Sequence, residues 1–301
     1  MPKLLTIIVT YNAMRWVDRC LDSVKSSSVP SDIFIVDNGS IDGTREYIAE
    51  HYPEVFLIRS EVNLMFGRAN NLGLEYALKN GYDYVYLLNQ DAWVAPDAFE
   101  KLIAASVANP EYGILSPIQF SPDWKTYEYM FKWLVVNKLS DKEKTIESAV
   151  PDCVIDVEMV QAAHWMLSRR CIEKVGGLSP SFPHYGEDDN YCQRTLFHGM
   201  KIGIVPDAKA VHDAANKPLV TNGQKRYRHY ITFLIFLSDP NDTQSLASLL
   251  WFLLRRAKGL AVERKCLTSF GGYFKAIVHL HRIRRNRSLS MTENCAFLKY
   301  D

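Results

Sequence analysis

Four runs of apolar residues recur through the first 90 residues of this chain: Leu4–Thr10, Ile33–Val36, Val55–Ile58 and Tyr84–Leu88. Between them the period changes from strand to helix. Residues 14–27 bring Trp16, Val17, Cys20, Leu21 and Val24 to one helical face. TREYIAEHY (44–52) follows the turn-rich DNGSIDGT, and Arg68–Leu78 makes a third helix. A fourth, DAFEKLIAAS (97–106), starts behind Pro96, where proline is tolerated, and a further strand begins at Ile114–Leu115. Strands that are apolar along their whole length have no wet face, so helices must cover both sides. The alternation therefore predicts an α/β fold, a mainly parallel sheet flanked by helices. Ligands of such sheets bind beyond the carboxyl ends of the strands. There the chain places Tyr11-Asn12, Asp37-Asn38, Asn63 and Asn89/Asp91. One polar strand end is ordinary turn or cap chemistry; four in succession predict a site.

The devices that usually hold phosphates are missing. No GxGxxG follows the first strand, and no GxxxxGK[ST] occurs anywhere. A sheet of this kind that binds a diphosphate without them needs another source of positive charge, and a divalent cation (Mg²⁺ or Mn²⁺) held by carboxylates is the usual one. Asp91 is the best placed ligand, although capping of the following segment explains it equally simply. A second cluster, Glu187-Asp188-Asp189-Asn190, begins the helical stretch DDNYCQRTLF, with Arg194 on it. Adjacent carboxylates repel unless exposed, paired or neutralised. Asp188 or Asp189 is therefore a candidate general base, or the cluster is a solvated helix N-terminus. His212 ends the strand-like run Ile202–Val211 and is either structural or a further ligand.

Bulk properties exclude several classes. The 301 residues are 48% hydrophobic and 23% charged, which is ordinary globular composition. Six scattered cysteines without a CxxC pair predict neither a zinc knuckle nor a disulfide framework. The opening MPKLLTIIVTYNAM is too short for a signal peptide, and no apolar run reaches the roughly 18–20 residues that span a bilayer. The expected location is thus cytoplasmic. Residues 217–301 carry 15 Lys/Arg and 5 Asp/Glu, whereas residues 1–216 carry 20 and 29, so a segment of +10 follows a body of −9. The basic part contains RRAK (255–258), ERK (263–265) and HLHRIRRNR (279–287). It predicts either a helical extension peripheral to an anionic membrane, at its inner face, or a bundle packed on the body with a basic outer surface. No nucleic-acid recognition motif is present. The expected division is a catalytic domain over 1–216, with halves near 1–118 and 119–216, and a helical extension over 217–301. Between about 120 and 160 the periodicity weakens, and SPDWKTYEYMFKW and SDKEKTIES are expected to be loops.

Seven segments together carry a resemblance. IIVTYN (7–12), VDNGSIDGT (36–44), NLMFGRANNLG (63–73), LLNQDAWV (87–94), RRCIEKVGGL (169–178), YGEDDNYCQR (185–194) and VPDAKAVH (205–212) follow one another over about 210 residues. In this order and spacing they resemble the family 2 glycosyltransferases, inverting enzymes of the GT-A fold, and in particular their rhamnosyltransferase-like branch.

The resemblance implies an enzyme that moves a sugar from a UDP- or dTDP-sugar to a hydroxyl of a glycan or lipid-linked acceptor, in surface polysaccharide synthesis. It implies that Thr10, Tyr11 and Asn12 line the base and ribose pocket, that Asp37 accepts hydrogen bonds from the base, and that Asn38 lies beside it. Asn63, Gly67 and Asn70 would approach the diphosphate. Asn89 and Asp91 match the family's D-x-D in an N-x-D form, with Asp91 on the metal and His212 completing the metal or diphosphate contacts. Asp188 matches the catalytic base, with Glu187, Asp189, Asn190 and Arg194 on the acceptor side. Departures are Asn190, where the branch writes a second Asp; Gln90, where proline is frequent and only the turn is expected to change; and Met65, where glycine is usual. Two other readings compete: a GT-A-like binding subunit without turnover, for which Asn190 leaves room, and a sugar-1-phosphate nucleotidyltransferase. The latter would need a glycine-rich basic loop where TYNAMRW stands.

Overall fold

The computed structural model describes residues 2–139, 146, 153–214, 222–263 and 268–299. In chain order the first elements are β1 (Leu4–Thr10), α1 (Val17–Lys25), β2 (Asp32–Asp37), α2 (Thr44–His51), β3 (Phe56–Arg59), α3 (Met65–Lys79) and β4 (Tyr84–Asn89). Then come β5 (Ala92–Val94), α4 (Ala98–Ala108), β6 (Tyr112–Phe120), α5 (Tyr129–Leu134), β7 (Ile155–Val157), β8 (His164–Ser168), α6 (Arg169–Val175), α7 (Glu187–Phe197) and β9 (Lys201–His212). Four helices follow: α8 (Asn222–Ser238), α9 (Leu246–Glu263), α10 (Thr268–Val278) and α11 (Leu280–Ser290).

Among the described residues one nine-stranded sheet forms in the order β3-β2-β1-β4-β8-β6-β9-β5, with β7 on β9. The pairs β1–β2, β1–β4, β2–β3 and β6–β9 are parallel, while β8, β5 and β7 run against their neighbours. The predicted mainly parallel sheet flanked by helices is thus observed. Side chains alternate across it, as the strand period requires. Leu5 and Ile7 of β1, with Val85 and Leu87 of β4, face the core under α3, α6 and α7. Leu4, Ile8, Tyr86 and Leu88 face the opposite core under α1, α2 and α4. Both layers are buried, and each fully buried Leu or Ile contributes about 1.5–3 kcal/mol. Gly73 lets α3 settle directly on β1, since a Cβ there would stand 2.5 Å from the Ile7 side chain.

One expectation needs correction, and it concerns the stretch after β6. β6 itself runs through residue 118, and its ladder to β9 continues on both sides of it. SPDWKTYEYMFKW is not all loop: α5 forms because the Glu128 carboxylate caps it, accepting from the Phe131 N–H at 2.8 Å and from Gln161 Nε2 at 2.6 Å. The basic extension packs against the body. Its core of Tyr230, Phe233, Leu234, Leu249 and Leu253 includes Phe182 of the preceding loop. The last described residues return to the sheet domain, with Cys295 N donating to Glu173 O and Gly177 N to Ala296 O. SDKEKTIES, apart from Ile146, and the expected boundary at 216/217 lie outside the described residues.

Candidate active site

The end of β4 turns sharply into β5, which pairs antiparallel with the end of β9. That ladder sets Ala92 opposite His212, and the Asp213 N–H donates to the Asp91 carbonyl at 2.8 Å. Two segments 120 residues apart are thereby clamped, and His212 Nε2 comes to 3.5 Å from Asp91 Oδ1. Asn89 Nδ2 lies 3.4 Å from the same nitrogen. The Nδ1 of His212 is buried without a partner. A carboxylate oxygen and an imidazole nitrogen meeting at the carboxyl end of a sheet form a donor pair suited to Mg²⁺ or Mn²⁺. Among the described residues no third His, Cys, Asp or Glu joins them. A cation here would take its remaining ligands from substrate oxygens and water.

Behind this pair stands His164, a residue the sequence did not single out. It is fully buried on β8, and burial holds its imidazole down to about 3. Its Nε2 lies 3.0 Å from the carbonyl of Val211, which can only accept, so Nε2 carries the proton and Nδ1 accepts from the Tyr86 hydroxyl at 2.8 Å. This neutral bridge ties β4, β8 and β9 together one residue before His212. Asp213 was missed as well; it accepts from Trp16 Nε1 at 3.0 Å and faces Arg15 at 3.5 Å.

The residues expected around a nucleotide divide into exposed and bracing groups. Tyr11 is about half exposed at the end of β1. Gln90 grips its backbone from both sides, Oε1 accepting from the Tyr11 N–H at 2.6 Å and Nε2 donating to the Tyr11 carbonyl. Gln90 therefore does more than alter a turn: it joins two strand ends. Thr10 is buried and donates to Asp37, while Asn12 sits at φ 53 and accepts from the Ile41 N–H. Asp37 is wholly buried, its carboxylate saturated by Thr10, Ser40 and the N–H groups of Gly39 and Ser40. These bonds brace the loop that follows β2 against β1. Asn38 is buried and accepts from the Leu64 N–H.

Asn63, Gly67 and Asn70 also serve local structure. Asn63 accepts from the Met65 N–H, and Asn70 is buried and donates to the Phe66 carbonyl within α3. Gly67 packs against Leu178, whose Cβ would lie 3.3 Å from an added Cβ. Met65 occupies the left-handed region at φ 66, which explains why glycine is usual there. Met65→Gly should raise the unfolding free energy by about 0.5–1 kcal/mol in a urea titration, the relief of strain partly offset by the added freedom of the unfolded chain.

The acidic cluster forms the first turn of α7. Asp188 and Asp189 are half-buried at the floor of a cleft of about 890 Å³, which His212 and Asp213 also line. Across from them stand Tyr129, Trp133 and, from α8, Arg228, Ile231 and Ile235. Burial raises the Asp188 carboxyl above its ordinary range, opposed by hydrogen bonds from backbone N–H groups of the helix start. Burial and the Asp188 charge push Asp189 up to about 7 and Glu187 to about 8. Gly186 caps the helix at φ 84, and a Cβ there would stand 2.8 Å from Ile231, so α8 sits directly over the start of the cluster.

Glu187, Asn190 and Arg194 leave the cleft. Asn190 is buried and its Nδ2 lies 3.5 Å from the carbonyl of Ser238 at the end of α8. Arg194 is fully buried; it donates to the carbonyls of Val175 and Gly177, closing the C-terminus of α6, and stacks 4.8 Å from the Phe297 ring. Neither lines the cleft. Glu187 is buried with Oε2 unpartnered. An acid raised from 4.5 to about 8 keeps its proton when folded, so stability is full below about pH 4.5 and declines as pH rises towards 8. Glu187→Gln should remove that decline and raise the melting temperature at pH 8 by a few degrees, with little effect at pH 4.5.

Comparison with known proteins fits this geometry. The model of Glycosyl transferase family 2 matches residues 6–170, more than half of the chain. The chain belongs to glycosyltransferase family 2. Among its relatives is the N-acetylglucosaminyl-diphospho-decaprenol L-rhamnosyltransferase of Mycobacterium tuberculosis, 24% identical over 280 residues, covering 82% of this chain and 88% of that protein. The dTDP-rhamnosyl transferase RfbF of Shigella flexneri is 24% identical, covering 70% and 69%. Both of these relatives are rhamnosyltransferases by name. Solved structures share the GT-A fold of this chain: S. aureus TarS 1–349 at TM-score 0.62 and 13% identity, covering 96% of this chain and 83% of that one. The mannosyltransferase PcManGT from Pyrobaculum calidifontis, in complex with GDP-Man and Mn²⁺, aligns at TM-score 0.58 and 18% identity, covering 96% and 84%.

Proposed function

We propose that this glycosyltransferase moves a sugar, with inversion, from a dTDP- or UDP-sugar to a hydroxyl of a glycan or lipid-linked acceptor. The observation that carries the reading is the cleft itself: the Asp188 and Asp189 carboxyls open onto the space that His212 lines, with Asp91 3.5 Å behind it. Inversion needs one base on the acceptor side and a separate place for the leaving diphosphate on the other face of the sugar. Asp188 takes the proton of the acceptor hydroxyl as its oxygen bonds to the anomeric carbon. The bond from that carbon to the diphosphate oxygen breaks, and its electron pair leaves with the nucleoside diphosphate. Asp91 and His212 would hold a divalent cation, which when bound supplies positive charge to the leaving group. Tyr11, steadied by Gln90, offers its exposed ring to the nucleotide base. The two relatives named above, which act on rhamnosyl donors and in one case on a diphospho-decaprenol, favour dTDP-rhamnose and a lipid-linked acceptor.

The test is turnover of a panel of radiolabelled dTDP- and UDP-sugars against lipid-linked acceptors, followed by NMR of the product. Opposite anomeric configurations in donor and product are expected. Retained configuration would sink the single-base reading, and no transfer from any nucleotide sugar would sink the function.

A further inference from the structure

The extension has an outer face that neither the cleft nor the core uses. In α9 the residues Leu249, Leu253 and Ala257 recur at helical spacing and point into the extension's core. The opposite stripe is not polar as a free surface helix requires. Trp251 and Phe252 are 57% and 45% exposed, followed along the helix by the exposed Arg255, Arg256 and Lys258. On α10, which packs against both α8 and α9, Phe274 is 60% and Val278 79% exposed. α11 adds exposed Arg282, Arg284 and Arg285. Over residues 246–290 the sequence holds ten Lys/Arg and one acid, Glu263. The Arg255 guanidinium lies 5.3 Å from the Trp251 ring, so the charge and the aromatic are carried side by side.

Exposed Trp and Phe beside a surplus of cations fit a bilayer interface. The rings enter the headgroup boundary and the cations meet anionic headgroups. None of the described helices is long and apolar enough to cross a membrane, so the contact is lateral. Nucleic acid would match the charge but gives exposed Phe252, Phe274 and Val278 no apolar partner. We infer that the outer face of α9–α11 docks on an anionic lipid surface. The docking also bears on catalysis: α8 carries Arg228, Ile231 and Ile235 into the cleft on one side and packs against α10 on the other. The bundle that would rest on lipid is the one that walls the acceptor side. That last step rests on the proposed lipid-linked acceptor; the docking itself does not.

The experiment is flotation of the full chain with phosphatidylcholine vesicles, with and without about 30 mol% phosphatidylglycerol. Binding is expected only to the anionic vesicles and should be released at high salt. Arg255→Gln with Lys258→Gln should weaken the partition about fivefold per charge removed, and Trp251→Ser with Phe274→Ser should weaken it at least tenfold. All four positions are exposed, and circular dichroism checks that the variants fold. In turnover, both double variants should keep wild-type rates on a detergent-solubilised short-chain acceptor and lose them on a vesicle-embedded one. Equal binding to neutral vesicles, no effect of the aromatic changes, or tighter binding to duplex DNA than to lipid would overturn the docking. If the wild type floats but transfers no sugar, the proposed function fails and the docking stands.

Discussion

Asp188→Asn should lower kcat by about 10²–10⁴-fold, the range that removal of a general base commonly costs, while leaving the binding of nucleotide sugar nearly unchanged. The amide keeps the shape of the carboxylate, and its oxygen can still accept from the Asp189 N–H, as Asp188 Oδ1 does at 3.0 Å. Only the ability to take a proton is lost. Burial raises the Asp188 carboxyl, which makes it a stronger base than an exposed aspartate but requires it to be deprotonated. The wild-type rate should therefore climb with pH along a limb displaced upward from the ordinary carboxylate range, then level off. The displacement depends on neighbours. Asp189, pushed up to about 7 by burial and the Asp188 charge, keeps its proton while Asp188 ionises, and its hydrogen bond to the Asp188 carboxylate lowers Asp188. Asp189→Asn keeps a side chain that can donate to Asp188, so its acid limb should stay near the wild-type position with the plateau rate kept within a few-fold. If instead Asp189→Asn lost the plateau and Asp188→Asn kept it, the roles of the two carboxyls would be exchanged.

The sheet was legible because it follows local rules. Runs such as Leu4–Thr10 and Tyr84–Leu88 are apolar along their length, and only burial on both faces permits that. Asp91 stands just past the end of β4, and His212 at the end of β9 lies beside it. What sequence order concealed was direction. At about 100° per residue, Asn190 lies roughly 200° around α7 from Asp188, and Arg194 roughly 240°. Placing the helix start at Glu187 thus sends both away from the cleft that Asp188 and Asp189 face, and this inference was available without coordinates. The remaining misses were not. α5 is six residues long and depends on a Glu128 that Gln161 holds from 33 residues away. His164 belongs to no motif, and its meaning lies wholly in Tyr86 and Val211, contacts that exist only once β4, β8 and β9 are adjacent. Likewise the bonds that brace Asp37, from Thr10 of β1 and from Gly39 and Ser40 of its own loop, appear only once β1 and β2 are adjacent.

Asp91→Ala should reduce transfer by about 10²–10³-fold, the scale on which loss of a group that stabilises leaving-group charge is felt. The substitution is clean in structural terms. The Asp91 side chain is about a quarter exposed, and its link to Asp213 runs through the backbone carbonyl, which alanine retains. The melting temperature should therefore stay close to wild type, and the loss can be assigned to the carboxylate. Calorimetry separates the possible origins. Mn²⁺ should tighten nucleoside diphosphate binding to the wild type and have little effect on Asp91→Ala. His212→Ala should show an intermediate loss, because it removes one donor of the pair while Asn89 and Asp91 remain. His164→Phe tests the bridge behind the pair: it cuts the bonds to Tyr86 and Val211 without touching Asp91, and metal-dependent binding should weaken about 10–100-fold through misplacement of His212. Undiminished turnover by Asp91→Ala in the presence of a chelator would remove the cation from this reaction altogether, and the charge on the departing diphosphate would then have to be met by the protein's own donors.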